Sequence, residues 1–196
     1  MNFDTVKEFE DKIAEFYGSK YAIATDCCTH AIELCLRYTD PVSVYFPSRT
    51  YISIPFLGFK LDIPWKWSTK EWKDYYFIGN TNIIDAAVFW KEGGYIKDTL
   101  MCLSFQFQKH LSLGRGGMIL TDDKESAKEL RRMSYDGREP SQPWREQDIS
   151  SMGYHYYMTP ETAQRGLERL EEAKNTTPRQ WVYTDWPDIR NMKVFQ

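Results

Sequence analysis

The sequence lacks the patterns that place a protein in a membrane or in an oxidising compartment. Its 196 residues contain no apolar run of membrane-spanning length, and the N-terminal stretch MNFDTVKEFEDKIAEF mixes acidic residues with apolar ones. The four cysteines form no C-x-x-C pair, and the adjacent Cys27 and Cys28 are poorly placed to bridge each other. We therefore expect a cytoplasmic protein with reduced thiols, no signal peptide and no membrane partner.

An excess of one charge sign is also missing. The chain has 25 Lys and Arg against 28 Asp and Glu, a net charge of -3, and its basic residues are interspersed with acidic ones. This distribution gives no basic patch for nucleic acid or for an anionic membrane, so we expect neither as a partner. A chain of this length fits one domain and can bury roughly 70% of its unfolded surface.

Signature motifs of several enzyme classes are absent. The three histidines lack the H-x-x-x-H spacing of a zinc site, and GRGG lacks the lysine and the serine or threonine of a P-loop. No G-x-G-x-x-G follows a strand, and no G-x-S-x-G elbow of a serine hydrolase occurs. Zinc, nucleotide-loop and Ser-His-Asp chemistry are therefore not indicated.

What the sequence does contain is an alternation of helical and β-rich segments, which predicts an α/β fold. Apolar spacings of three and four predict helices over 5–17, 29–38, 123–135 and 159–174. The first has Asp4 as its N-cap and Gly18 as its stop, and the last has Thr159 as its N-cap and Pro160 at its first position. Strands are predicted within 20–26, 42–47, 60–65, 74–79, 81–89, 99–107 and 116–122.

The turn ATDCCTHAIEL joins a predicted strand to the start of a helix. Free backbone N–H groups and the helix dipole favour an anion at such a position, and Thr29 adds a hydroxyl, so a phosphate fits there. The alternative is that Asp26 or Thr29 simply caps the helix.

Two charged residues follow apolar runs. Asp85, in NIIDAAVF, either lies at an exposed strand end or pairs with a cation such as a protonated ring nitrogen of a ligand. Lys109 ends LSFQFQK and either extends into solvent or is a desolvated amine, which is nucleophilic toward aldehydes. Strand ends are where α/β sheets place ligands, so for Asp85 the two interpretations overlap.

Five segments in order resemble the DegT/DnrJ/StrS family of pyridoxal-phosphate (PLP) sugar aminotransferases, which has the aspartate aminotransferase fold, fold type I. The segments lie within residues 5–172 and are FEDKIAEFYGSKYAIATDCCTHAIELCL, FPSRTYIS, IIDAA, LSFQFQKHLSLGRGGMILTDD and GYHYYMTPETAQRGLERLEE. The resemblance implies a three-layer α/β sandwich with a mainly parallel central sheet and pyridoxal 5'-phosphate as cofactor.

Residue roles follow from the resemblance position by position. Lys109 corresponds to the lysine that attaches the cofactor, and Asp85 to the partner of its ring nitrogen. The remaining cofactor-binding positions are Ser104, Thr29 and the backbone of Cys28 around the phosphate, Tyr51 against the ring face, and His155, where the family has an asparagine that reaches the neighbouring subunit's phosphate. The paired Gly116 and Gly117 are expected to bring the backbone close to the site.

The implied reaction moves an amino group, usually from glutamate in this family, to a nucleotide-linked keto-sugar for surface polysaccharide or modified-sugar biosynthesis. The implied assembly is a homodimer. We expect residues 1–174 to form a reduced large domain, without the family's C-terminal small domain, and residues 175–196 to be a tail that packs on the domain or on the dimer partner.

Departures from the family pattern favour an alternative, a non-catalytic dimer that binds a sugar nucleotide or a protein. They are Val88 for a glutamine or histidine, Gln106 for a histidine, His155 for the asparagine, Tyr157 for an arginine and Arg115 for an acidic residue. The family's chains are also nearly twice as long. These changes affect the tuning of the cofactor and the contact between subunits.

Overall fold

The computed structural model describes residues 3–196, in which helices and strands alternate up to residue 68 and four more strands follow before the next helix. The helices are α1 Phe3–Tyr17, α2 Cys28–Thr39, α3 Ser53–Leu61, α4 Lys124–Ser134 and α5 Pro160–Lys174. The strands are β1 Tyr21–Thr25, β2 Val44–Pro47, β3 Trp65–Ser68, β4 Tyr76–Phe77, β5 Ile83–Asp85, β6 Leu100–Ser104 and β7 Gly117–Thr121. Short 3₁₀ turns cover Trp144–Glu146, Tyr183–Asp185, Ile189–Asn191 and Lys193–Phe195.

The central sheet has five strands in the order β1-β7-β6-β5-β4. β5 and β6 are parallel, whereas β7 runs against both of its neighbours and β4 runs against β5. β1, β5 and β6 therefore point the same way, but three of the four pairings are antiparallel, so the sheet is mixed and the expectation of a mainly parallel sheet is wrong. β2 and β3 form a separate parallel pair, which reaches the main sheet through a bridge between Tyr45 and Gly79.

Each face of the central sheet is covered by helices, which gives the expected three layers. Neighbouring residues of a strand face opposite cores: Met101 and Leu103 pack with α1 and α5, whereas Leu100 and Cys102 pack with α2 and α4. The period of two in the strands thus divides the apolar residues between two cores. Over residues 3–196, no helix combines the length and the hydrophobicity that crossing a membrane requires.

Most predicted elements are confirmed, with corrections at their ends. Gly18 ends α1 in the left-handed region, at φ 79°, and Thr159 caps α5 with Pro160 in the first turn. Asp4 lies inside the first turn of α1 instead of before it. The strand predicted over 60–65 is wrong in position, because α3 extends to Leu61 and β3 begins at Trp65.

Candidate active site

Asp85 is the last residue of β5 and its side chain is buried, with 5% exposure. Its carboxylate accepts hydrogen bonds from the Tyr76 hydroxyl and, at 2.9 Å, from the Ala87 N–H. The Tyr76 hydroxyl also hydrogen-bonds the Thr50 hydroxyl. Burial raises the pKa of Asp85, while these two hydrogen bonds and the charge of Lys109 oppose the rise. The alternative of an exposed strand end is therefore wrong.

Lys109 lies in the turn after β6, where its backbone N–H donates to the Gln106 carbonyl at 2.8 Å. Its half-buried side chain lines two cavities. A cavity of about 30 Å³ has Asp85 on its wall, and one of about 310 Å³ has Ser104; Val88 lines both. The amine therefore stands between the carboxylate and the serine, at the end of the sheet where the sequence predicted a site.

The smaller cavity brings Asp85, Lys109 and Tyr51 together and is lined by aromatic side chains that include Trp72 and Trp186. Its volume of about 30 Å³ accommodates one or two water molecules. Ala87, Val88 and Lys109 line both cavities, so the two spaces adjoin at the lysine.

The turn before α2 differs in detail from the expectation. The N-cap is Cys27, whose sulfur accepts the His30 N–H at 3.5 Å, so a cap made by Asp26 or Thr29 is wrong. The Thr29 hydroxyl lies 2.7 Å from the hydroxyl of Ser53, at the start of α3. The first N–H groups of a helix have no intrahelical acceptor, so the turn keeps donors for an anion.

β7 lies directly against this turn because its first residue has no side chain. A Cβ at Gly117 would overlap the backbone of Cys27 and Cys28. The close approach expected from the paired glycines is therefore present at Gly117. Cys28 is buried, and burial, followed by the charge of Asp85, raises the pKa of its thiol, whereas the charge of Lys109 lowers it.

Asp26 holds two cations beside the same turn. Its carboxylate accepts from His30 Nδ1 at 2.7 Å and from Arg115 Nη2 at 2.7 Å. Burial lowers the pKa of His30, but the hydrogen bonds and charges of Asp26 and Cys27 outweigh burial and raise it to about 9. The side chains of Asp26, Cys27 and His30 are close enough together to bind a metal ion. A metal ligand must be deprotonated, however, and here the His30 imidazole is protonated and the Asp26 carboxylate is shared with Arg115, so the group does not suit a metal.

His155 does not join this group. Its imidazole is exposed and pairs with Asp136 at 3.1 Å, and neither cavity beside Lys109 includes it among its lining residues. Tyr157 packs against Phe3 and Tyr135, at centroid distances of 5.6 and 4.9 Å. A role for His155 at the phosphate of a neighbouring subunit stays a prediction.

Sequence reasoning did not find the aromatic walls of the site. Tyr76 faces Asp85 directly in the antiparallel β4–β5 register, and Trp72 packs against Tyr76 at a tilt, with ring centroids 5.0 Å apart. From the tail, Trp186 lies 5.0 Å from Trp72, and Trp181 lines the larger cavity with Lys109. The two tryptophans of the tail were the sequence feature that could have indicated these walls. Which residues they contact, however, depends on the path of the chain in the fold.

The arrangement suits pyridoxal phosphate by the chemistry of its donors. A buried carboxylate and an amine share one cavity, the amine shares the next with a serine, and the start of α2 packs against Gly117, the β7 residue paired with that serine. These groups can hold a protonated ring nitrogen, an aldehyde carbon and a phosphate, respectively. Val88 adds an apolar side chain beside both cavities.

Comparison with known proteins agrees with this chemistry. The model of the DegT/DnrJ/EryC1/StrS aminotransferase family matches residues 1–54 and 91–183. A curated relative is the spore coat polysaccharide biosynthesis protein SpsC of Bacillus subtilis (strain 168), which is 25% identical over 227 residues. That alignment covers 89% of this chain and 58% of SpsC.

Solved structures share the fold. AtS13 from Actinomadura melliaura has a TM-score of 0.77 at 19% identity, with 88% of this chain and 61% of AtS13 covered. DesI, solved in the presence of its TDP-sugar product, has a TM-score of 0.69 at 19% identity, with 87% of this chain and 53% of DesI covered. Other structures with this fold include a sugar aminotransferase and a protein in its PLP form. The chain spans between 53% and 61% of the length of SpsC, AtS13 and DesI.

Proposed function

Because the chain belongs to the DegT/DnrJ/EryC1/StrS aminotransferase family, we propose that it is a PLP-dependent aminotransferase acting on a nucleotide-linked keto-sugar, with glutamate as amino donor. The observation that carries the proposal is the meeting of Lys109 with the buried Asp85 at one cavity. SpsC and the TDP-sugar product of DesI support a role in polysaccharide or modified-sugar biosynthesis.

Asp85 supplies the negative charge of the site. When bound, pyridoxal phosphate provides an aldehyde for attachment and a ring that withdraws electrons from the bond to be broken. The Asp85 carboxylate, positioned by the Tyr76 hydroxyl and the Ala87 N–H, keeps the ring nitrogen protonated. A buried carboxylate costs free energy unless it is paired, which a ring cation provides.

Lys109 has two tasks in this proposal. It holds the cofactor between turnovers, and as a free amine it takes a proton from the substrate carbon and returns it elsewhere. Its place between the two cavities lets one side chain do both. The N–H groups at the start of α2, the Thr29 hydroxyl and the Ser104 hydroxyl would hold the phosphate, with the helix dipole favouring the anion.

Uptake of pyridoxal phosphate tests the proposal directly. We expect the purified protein to turn yellow with the cofactor and, after borohydride reduction, to carry its mass on the peptide that contains Lys109. Lys109→Ala removes both signals because the nucleophile is lost. Lys128→Ala, a change of an exposed lysine on α4, is the matched control and keeps both. A wild-type protein that stays colourless at saturating cofactor refutes the proposal.

A non-catalytic binding module is the second candidate. The cavity of about 30 Å³, Val88 and the remote His155 favour it. In that case the protein binds its sugar nucleotide equally well with Lys109→Ala, and neither form has transaminase turnover. Turnover that disappears in Lys109→Ala rejects the module.

A further inference from the structure

A second cleft lies between β2 and β3 on one side and β4 on the other. Its volume is about 680 Å³, within the range of small-molecule sites. The cleft exists because the two-stranded sheet meets the main sheet at a single bridge, Tyr45 to Gly79, and β4 has only two residues. Most of its lining belongs to residues 67–80, a stretch that the family model leaves unmatched.

The walls of the cleft are aromatic and its rim is basic. The ring-bearing lining residues are Tyr45, Trp67, Trp72, Tyr75, Tyr76 and Phe77. Phe77 and Tyr45 keep 46% and 38% of their surface exposed, so ring surface is available to a ligand. Lys70 and Lys73 lie on the rim, and within residues 3–196 neither ammonium has an ion-pair partner within 4.0 Å.

The one carboxylate of the cleft is engaged elsewhere. The Tyr183 hydroxyl donates to Glu71 at 2.6 Å, which ties that side chain to the tail. The aromatic faces and the two lysine ammonium groups, which outnumber the one carboxylate of the cleft, match a flat ring that carries phosphate groups. A neutral sugar would gain nothing from the two lysines.

We infer that this cleft binds the nucleoside diphosphate part of the substrate, an inference that rests on the proposed function. The base stacks on the exposed rings, and the Lys70 and Lys73 ammonium groups contact the diphosphate. Trp72 and Tyr76 line both this cleft and the cavity that holds Asp85 and Lys109, so the two sites share a wall. A substrate held in the cleft by its nucleotide therefore has its sugar end near the reacting amine.

Titration with uridine diphosphate and thymidine diphosphate, without cofactor or sugar, tests the cleft. We expect binding that quenches tryptophan fluorescence, and we expect Lys70→Ala/Lys73→Ala to raise Kd about tenfold or more, since two charge-assisted contacts are lost. Uridine should bind more weakly than its diphosphate. Lys66→Ala is the control, because Lys66 is an exposed lysine of β3 that does not line the cleft. Equal Kd values for wild type and double variant overturn the inference, as does an absence of binding at millimolar diphosphate.

Cofactor uptake measured on the same samples separates this inference from the proposed function. A protein that attaches pyridoxal phosphate at Lys109 but binds no diphosphate overturns the cleft alone. A protein that binds diphosphate through Lys70 and Lys73 but takes up no cofactor overturns the aminotransferase proposal and supports the cleft.

Discussion

Asp26 makes the start of α2 sensitive to pH, because its carboxylate holds a protonated His30. The pKa of His30 is raised from 6.5 to about 9 in the folded chain. A raised folded-state pKa contributes stability that is complete below the unfolded pKa and is lost as pH rises through the folded one. We expect the free energy of unfolding to fall by about 1–3 kcal/mol from pH 6.5 to pH 9, measured by urea denaturation.

His30→Gln identifies the source of that slope. Glutamine can still hydrogen-bond Asp26 but does not titrate, so its stability should be nearly flat over the same pH range. The ring of His30 also stacks on Tyr156, with centroids 3.7 Å apart, so the variant is expected to be less stable at every pH. A wild-type slope that persists in His30→Gln assigns the pH dependence to another group.

The residues of the site differed in how far the sequence could predict them. A carboxylate in NIIDAAVF and an amine after LSFQFQ interrupt apolar runs, so Asp85 and Lys109 were visible as anomalies. Tyr76 was not, because an aromatic residue in a β-rich run is ordinary, and its contact with Asp85 depends on the register of β4 against β5. The cap at Cys27 was missed because a sulfur acceptor is outside the usual capping residues.

The segment over 181–195 packs against the elements around the site. Arg49 donates to the Trp186 carbonyl at 2.6 Å, and the Ile189 N–H donates to the Ser48 carbonyl at 2.9 Å. Ile189 is buried, and Phe195 packs against Trp67 with centroids 5.1 Å apart. The Tyr183 N–H donates to the Trp72 carbonyl at 3.0 Å, so Trp186 is held on the cavity wall by contacts before and after it in the chain.

Trp186→Ala is expected to open the cavity between Asp85 and Lys109. Because the present volume is about 30 Å³, the removal of the indole should speed cofactor uptake several-fold in stopped-flow absorbance, with Lys109 still the attachment point. Trp144→Ala removes a tryptophan that is 56% exposed in another segment and should leave the rate unchanged. Equal uptake rates for all three proteins contradict a closing role for the tail.

Among the elements, regular periodicity separated the confirmed predictions from the wrong ones. α1, α4 and α5 carry apolar residues on one face only, which a sequence pattern reports well. α3 was missed because SIPFLGFKL is largely apolar and contains a proline and a glycine, so it shows no helical period. The division between a domain over 1–174 and a tail stays a prediction.

At the scale of the whole molecule, the sequence predicted the layers but not the break in the sheet. Apolar runs in the sequence indicate that the strands are buried on both faces of the sheet. The direction of each strand depends instead on the connections between the strands. The short β4 pairs with β5 in the antiparallel direction, and β2 and β3 form a pair that is separate from the central sheet. The cleft that we assign to the nucleotide follows from this break, which no local pattern encodes.

We expect the whole molecule to be a homodimer whose interface covers the mouth of the site. Tyr51 lines the cavity with Lys109 yet is 62% exposed, and Phe107, in the loop that leads to Lys109, is 65% exposed. Exposed aromatic residues beside a site are typical of a surface that a partner covers.

Light scattering should give twice the 23.2 kDa chain mass, and Phe107→Asp should shift the protein toward monomer. Val42→Asp, at a position 91% exposed before β2 and so at the opposite end of the strands, should remain dimeric. A wild-type protein that elutes as a monomer at high concentration refutes the dimer.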